Sequence, residues 1–122
     1  MLKVLNRNAW RNSLPRVYLS GPISGKNEDD CEALFSSASK LMLDICDCEV
    51  VNPWSLQKGV PPMEWCDYID LCLVALRTCD AIILLDGWQS SNGAQLEKLY
   101  AEGMQIPVYT VEEFLNSLGG RG

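Results

Sequence analysis

The chain has 122 residues, 48% of them apolar, which is enough for one domain with one ordinary core. The 16 acidic residues outnumber the 10 Lys and Arg residues, and the formal charge of -6 argues against a broad surface for nucleic acid or anionic lipid. Histidine is absent and the six cysteines form no Cys-x-x-Cys pair, which argues against a zinc site and removes Ser-His and Cys-His nucleophile systems.

The N-terminal part of the sequence predicts a strand, a helix and a second strand. Residues 1–15 show little periodicity, and we interpret them as an extension that precedes a single domain of residues 16–122. Arg16–Ser20 is a short β-prone run that ends at a Gly-Pro turn. From about residue 27, acidic residues precede apolar residues at helical spacing, as at a helix N-terminus. Residues 49–53 predict the second strand, ended by a proline.

The rest of the chain continues the alternation. Residues 81–85 are continuously apolar, which is typical of a strand buried on both faces. The predicted elements around this strand are helices over 63–77, 92–102 and 111–118 and a short strand over 107–109. Strands that alternate with helices predict an α/β fold with a parallel sheet of four to five strands and helices on both faces, hence three layers.

The carboxyl ends of the strands are where such sheets bind ligands. The loop after the first strand carries two glycines, two hydroxyls and a lysine, a composition that lets the backbone approach an anion. Its candidate ligand-binding residues are Ser20, Gly21, Pro22, Ile23, Ser24 and Gly25. The loop matches neither a Walker loop nor the dinucleotide fingerprint, and an ordinary turn explains the same residues.

The helix start after the buried strand supplies the second half of the predicted pocket. Ser91, Asn92 and Gly93 can cap the helix and leave room for a ligand, and Glu97 lies about one turn inside. A solvated helix glutamate is the plainer interpretation of Glu97. Asn52 also falls at this edge of the sheet.

Other candidate residues have structural alternatives. Trp88 falls near the predicted pocket and could stack on a base or pack in the core. Asp70 shares a predicted helix face with Asp67 and could assist catalysis or merely keep the helix soluble. Asp86, at the end of the buried strand, could be a turn residue. The cysteines are interpreted as small buried hydrophobes in a reduced, cytoplasmic protein.

Several short motifs, taken in order, resemble one known group. They are Val17-Tyr18-Leu19-Ser20-Gly21-Pro22-Ile23-Ser24-Gly25, Cys79-Asp80-Ala81, Gly87-Trp88, Ser91-x-Gly93-Ala94 and Glu97-x-x-x-Ala101. In this order and spacing the chain is similar to the nucleoside 2-deoxyribosyltransferase-like superfamily, and within it to a small branch from phage and prophage genomes and to deoxynucleoside 5′-monophosphate N-glycosidases.

The resemblance implies a flavodoxin-like or Rossmann-like fold and cleavage of an N-glycosidic bond. It implies that Glu97 attacks C1′ of the sugar, that Tyr18 orients it, and that Ser91 helps to hold a phosphate. The family's helical aspartate, eight residues before Asp80, is replaced here by Cys72. Asp70 lies two residues away, about 200° around a helix.

Two hypotheses follow. In the first, the protein is a nucleotide N-glycosidase or deoxyribosyltransferase in which Glu97 is the nucleophile and Asp70 or Asp86 is the acid. In the second, motivated by Cys72, it binds and sequesters a nucleotide without catalysis. Both expect a small-molecule nucleotide or nucleoside as partner, with no cofactor, metal, nucleic acid or membrane. The resemblance further implies a homodimer or a higher homo-oligomer.

Overall fold

The computed structural model describes residues 15–22, 28–56 and 65–119. Residues 1–14 of the predicted N-terminal extension and the loop residues Ile23, Ser24 and Gly25 lie outside these ranges. The described elements are β1 (Arg16–Ser20), α1 (Glu28–Ile45), β2 (Glu49–Val51), α2 (Pro53–Leu56), α3 (Trp65–Arg77), β3 (Ala81–Leu84), α4 (Asn92–Gly103), β4 (Val108–Thr110) and α5 (Val111–Gly119), with one turn of 3₁₀-helix at Trp88–Ser90.

The described strands form one parallel sheet in the order β2-β1-β3-β4. In the register, Tyr18 of β1 lies opposite Val51 of β2 and Ile82 of β3. The chain leaves β1 toward β2 on one side and returns to β3 on the other, so the strand order reverses beside β1. That reversal opens a crevice at the carboxyl ends of β1 and β3, where α/β sheets bind ligands.

Helices cover both faces of the sheet. On one face, Val17 and Leu19 of β1 pack with Phe35 of α1 and Phe114 of α5. On the opposite face, Tyr18 packs with α3 and α4 side chains, among them Cys72, Leu76 and Ala101. Successive side chains of a strand alternate between faces, and both β1 and β3 are almost wholly buried. The three-layer α/β prediction is therefore confirmed, with four strands in the described sheet.

Hydrogen bonds join the amino ends of β1 and β3, at the edge of the sheet opposite the crevice. Asp80 is buried, and its carboxylate accepts a hydrogen bond from the Arg16 backbone N–H at 2.8 Å. The Asp80 N–H donates in turn to the Arg16 carbonyl at 2.7 Å. Asp80 therefore sets the register of β1 against β3.

The structure adds two elements that the sequence pattern did not predict. Pro53 begins the short helix α2 rather than ending the strand, because proline suits the first position of a helix. Asn52 precedes it, and its side-chain oxygen accepts a hydrogen bond from the Trp54 N–H at 3.0 Å. The second is the 3₁₀ turn, which follows Gly87 in the left-handed region at φ 89°. No described helix is long and apolar enough to cross a membrane.

Candidate functional site

A cavity of about 190 Å³ opens at the carboxyl end of β1, where α3, α2 and the N-terminus of α4 meet. Its described lining consists of Gly21, Pro53, Tyr68, Ile69, Ser90, Ser91, Asn92, Gly93, Ala94 and Glu97. The cavity therefore lies in the crevice that the strand order creates.

The Glu97 carboxylate is the charged group of this described lining. It is only 5% exposed, and each of its oxygens accepts one hydrogen bond. The Tyr18 hydroxyl donates to Oε2 and the Ser20 hydroxyl donates to Oε1, both at 2.6 Å. Tyr18 and Ser20 are two residues apart on β1, so both side chains leave the sheet on the face that α4 covers. Two hydroxyl donors thus orient one buried carboxylate.

Burial and hydrogen bonding act on Glu97 in opposite directions. Removal from water raises the pKa of the Glu97 carboxyl, while the hydrogen bonds from Ser20 and Tyr18 lower it by a smaller amount. Burial, together with the nearby Glu97 charge, raises the pKa of the Tyr18 phenol well above its usual value. Tyr18 therefore remains a hydrogen-bond donor to Glu97 at every physiological pH.

The N-terminus of α4 forms one wall of the cavity. The Ser91 hydroxyl caps the helix by accepting a hydrogen bond from the Ala94 N–H at 3.1 Å. A Cβ at Gly93 would lie 3.3 Å from Cδ1 of Ile69, so glycine lets α4 approach α3 closely. Asn92 and Gly93 belong to the first turn, whose N–H groups have no acceptor within the helix. This end of α4 is suited to an anionic group of a ligand.

The loop after β1 is also constrained by close packing. A Cβ at Gly21 would lie 3.1 Å from Cβ of Leu85 and 3.5 Å from the Phe35 ring. The Leu85 N–H donates to the Ser20 carbonyl at 2.7 Å, which extends the pairing of β1 with β3 by one step. There is therefore little room for a side chain at Gly21, whose backbone lines the cavity.

Two side chains of α3 lie at or beside the site: Tyr68, which the sequence analysis did not single out, and Cys72, which it named only as the residue in place of an expected aspartate. Tyr68 lines the cavity, and its hydroxyl donates to the Pro53 carbonyl at 3.1 Å. Cys72 is fully buried in the core cluster that contains Tyr18, and Tyr68 packs against the same cluster. Tyr68 and Cys72 are four residues apart, hence on one face of the helix. This spacing is the feature of the sequence that could have indicated that the two side chains lie together.

The structure brings together some of the predicted site residues. Ser20 and Tyr18 contact Glu97 directly, and Gly21, Ser91, Asn92 and Gly93 line the same cavity. Ile23, Ser24 and Gly25 lie outside the described residues.

Other predicted site residues lie elsewhere. Asn52 caps α2, and Trp88 is half-buried with the Lys98 ammonium 5.9 Å from the centre of its ring. Pro22 and Asp86 line a separate cavity on the α1 side of the sheet.

The two candidates for the catalytic acid are both exposed, Asp70 on α3 and Asp86 after β3. Neither carboxylate lines the cavity of Glu97, so their assignment as the catalytic acid remains a prediction.

Within the described ranges, no group of three or more Cys, Asp or Glu side chains is arranged to hold a metal ion. Five cysteines, Cys31, Cys46, Cys48, Cys72 and Cys79, are buried as free thiols. Cys46 and Cys48 lie next to each other, with their sulfur atoms 3.2 Å apart.

Comparison with known proteins places the fold. A solved structure, the 2-desoxiribosyltransferase from Leishmania mexicana, superposes with a TM-score of 0.62 at 21% sequence identity. The match covers 79% of this chain and 63% of that protein, so the chain spans less than two thirds of its length. No curated protein sequence matches the chain. Residues 15–110 match the family described as "Domain of unknown function (DUF4406)", and the chain therefore belongs to this family.

Proposed function

We propose that this protein cleaves the N-glycosidic bond of a small nucleotide or nucleoside, with Glu97 as the nucleophile. The observation that carries the proposal is the Glu97 carboxylate, buried at a cavity in the sheet crevice and held by two hydroxyl donors. A carboxylate fixed in this way can attack the anomeric carbon of a sugar and form a glycosyl ester. The likeness of the fold to a 2-desoxiribosyltransferase supports the same class of chemistry.

The surrounding residues fit supporting roles in that reaction. Tyr18 and Ser20 hold the two carboxylate oxygens and so fix the direction of attack. Ser91, Asn92 and Gly93, at the start of α4, are suited to a 5′-phosphate because a helix N-terminus stabilises anions. Water or a second base would accept the sugar from Glu97, which gives hydrolysis or transfer.

The test is release of base from a panel of deoxynucleoside monophosphates, measured by chromatography. Glu97→Gln should lower kcat/KM by about 10³-fold or more, since it removes the nucleophile and keeps the side-chain shape. The matched control is Glu102→Gln on the same helix, where the carboxylate forms an exposed ion pair with Lys98 at 2.7 Å. Activity of Glu102→Gln should equal that of the wild type. A Glu97→Gln variant that still releases base at the wild-type rate would refute the proposal.

A second function is favoured by the described cavity lining, which includes a single carboxylate, that of Glu97. Glycosidases of the two-carboxylate type use a second acid to protonate the leaving group. A protein without such an acid could instead bind and sequester a nucleotide, a role suited to a phage-encoded protein. Tight binding by calorimetry, with every nucleotide of the panel recovered unchanged, would favour this function over catalysis.

The homo-oligomer implied by the sequence resemblance is a further part of the proposal. Its support is a set of apolar side chains on the outer surface of the two helices that flank the cavity: Leu71, Val74, Leu96 and Leu99. Pairing through this surface would place a second copy of the chain next to the site.

A further inference from the structure

The groups at the cavity that could donate a proton to a leaving base limit the class of substrate. Glu97 is the one ionisable carboxyl among the described lining residues, and this lining includes neither Lys nor Arg. The exposed carboxylates of Asp70 and Asp86 lie outside it. Among the described residues, the groups left to protonate a leaving base are the neighbouring hydroxyls and thiol.

Those neighbours hold their protons tightly. Burial raises the pKa of the Cys72 thiol to about 11, and it raises the pKa of the Tyr68 phenol far above its ordinary value. The Tyr18 proton is directed at Glu97 Oε2 and the Tyr68 proton at the Pro53 carbonyl. Both phenols are therefore hydrogen-bond donors to fixed acceptors, and neither is suited to act as a general acid at neutral pH.

The geometry points to a glycoside whose leaving group departs without a proton, and we propose that this site acts on N-glycosides of positively charged heterocycles. Examples of the class are an N7-alkylated purine and a pyridinium ring joined to C1′ of a deoxyribose 5′-phosphate. This inference rests on the proposed function of Glu97 and adds the substrate class.

The step balances without a general acid. The Glu97 carboxylate attacks C1′ and forms a C–O bond as the C1′–N bond breaks. The electron pair of the broken bond moves onto the ring nitrogen and converts the cationic ring into a neutral base. Water then attacks C1′, the carboxylate leaves with its electron pair, and the proton of the water passes to solvent. A neutral base would instead depart as an anion and would need a proton.

The charges in the cavity also favour a cationic ring. The Glu97 carboxylate attracts it at short range, and the described lining presents no cationic side chain to repel it. The aromatic ring of Tyr68, which also lines the cavity, can stabilise a cation that stacks on its face.

The decisive experiment compares two substrates that differ by one methyl group and one charge. Deoxyguanosine monophosphate and its N7-methylated derivative are incubated with the wild-type protein, and base release is corrected for the spontaneous rate of each compound. We expect kcat/KM for the methylated substrate to exceed that for the neutral one by at least about 10²-fold, the lower end of what a general acid ordinarily contributes.

The outcomes separate this inference from the proposed function. Equal values of kcat/KM for the two substrates would overturn the inference and leave the function of Glu97 intact, because the protein would then supply an acid. Base release from neither substrate, nor from the deoxynucleotide panel, would overturn both. Release from the methylated substrate that survives Glu97→Gln would also overturn both, because both require this nucleophile.

A variant provides a second readout. Cys72→Asp introduces a carboxyl next to Tyr18 and Tyr68 and should raise kcat/KM for the neutral substrate toward that for the methylated one. Cys72→Ser is the matched control, of similar size and without an acid, and it should keep the preference of the wild type. A Cys72→Ser variant that gains activity on the neutral substrate would contradict the inference. Should Cys72→Asp not fold, the comparison of the two substrates on the wild type remains decisive.

Discussion

Glu97 combines burial, which opposes ionisation, with two hydrogen bonds, which favour it. Burial is the larger effect and raises the pKa of the carboxyl above its ordinary value of 4.5. A nucleophilic carboxylate must be ionised, so this pKa sets the acidic limit of the proposed reaction. The raised pKa also links the stability of the fold to pH, which offers a test that needs no substrate.

The Glu97→Gln variant should gain stability relative to the wild type as the pH rises. A carboxyl with a raised pKa in the folded state contributes its full stability below its unfolded pKa, near 4.5, and loses it as the pH rises through the folded pKa. Glutamine does not titrate, so the difference in unfolding free energy should grow by about 1.4 kcal/mol for each tenfold difference between the folded and unfolded acidity constants of Glu97. Urea unfolding between about pH 4 and pH 8 measures it.

Tyr18→Phe is the companion variant for this measurement. It keeps the buried ring and removes the hydroxyl that donates to Glu97 Oε2, one of the two contacts that lower the pKa of Glu97. The midpoint of the pH dependence should therefore move to higher pH. A flat difference between Glu97→Gln and the wild type, or a midpoint that Tyr18→Phe moves to lower pH, would contradict this account of the carboxylate.

At the scale of the elements, the N-terminus of α4 has both a structural and a proposed binding role. Ser91 caps the helix and lines the cavity, so its replacement should affect both. Ser91→Ala is expected to lower the free energy of unfolding by about 1 kcal/mol, because the Ala94 N–H loses its acceptor. Ser91→Thr should recover most of this loss, since threonine is also a good cap. Urea unfolding provides the measurement.

The neighbouring residue supplies the control for this prediction. Ser90 is exposed in the 3₁₀ turn, and its hydroxyl donates to the Gly87 carbonyl at 3.0 Å instead of capping α4. Ser90→Ala should change the unfolding free energy by less than about 0.5 kcal/mol. Equal losses for Ser90→Ala and Ser91→Ala would show that the cap contributes nothing particular to α4.

The sequence predicted those elements whose signals are local. The β-prone run of β1 and the apolar run of β3 predicted two buried strands, and the structure has both at nearly the expected bounds. Their pairing side by side was not predicted. The α2 helix was missed because a proline after a strand was interpreted only as a strand end. Its start depends on the side chain of Asn52, one residue earlier.

The candidate site was only partly accessible from the sequence. Position on α4 after a predicted strand made Glu97 a candidate, and the family resemblance gave it the role of nucleophile. The contacts of Tyr18 and Ser20 with Glu97 join residues 79 and 77 positions apart, and no local pattern reveals them. The places of Tyr68 and Cys72 depend on how α3 rotates about its axis when it packs on the sheet. For the same reason, spacing alone could not tell that Asp70 faces solvent.

At the scale of the whole molecule, the two helical layers have different roles. The layer of α1 and α5 closes a core around Phe35 and Phe114. The layer of α3 and α4 closes the other core and also carries the cavity. The α3 and α4 helices pack beside each other and expose leucine and valine side chains outward. A surface of this kind next to the proposed site is where the implied second copy of the chain would bind.

We therefore expect the wild-type protein to sediment as a homodimer or larger assembly, and Leu99→Lys to shift it toward monomer. Leu99 is 65% exposed on α4, and a lysine there would place like charges across a two-fold interface. Leu43→Lys is the matched control, because Leu43 is 55% exposed on α1, in the opposite layer, and the change of charge is the same. Sedimentation velocity over a range of concentrations measures both. A monomeric wild type, or equal dissociation by the two variants, would show that the α3 and α4 surface is not the interface.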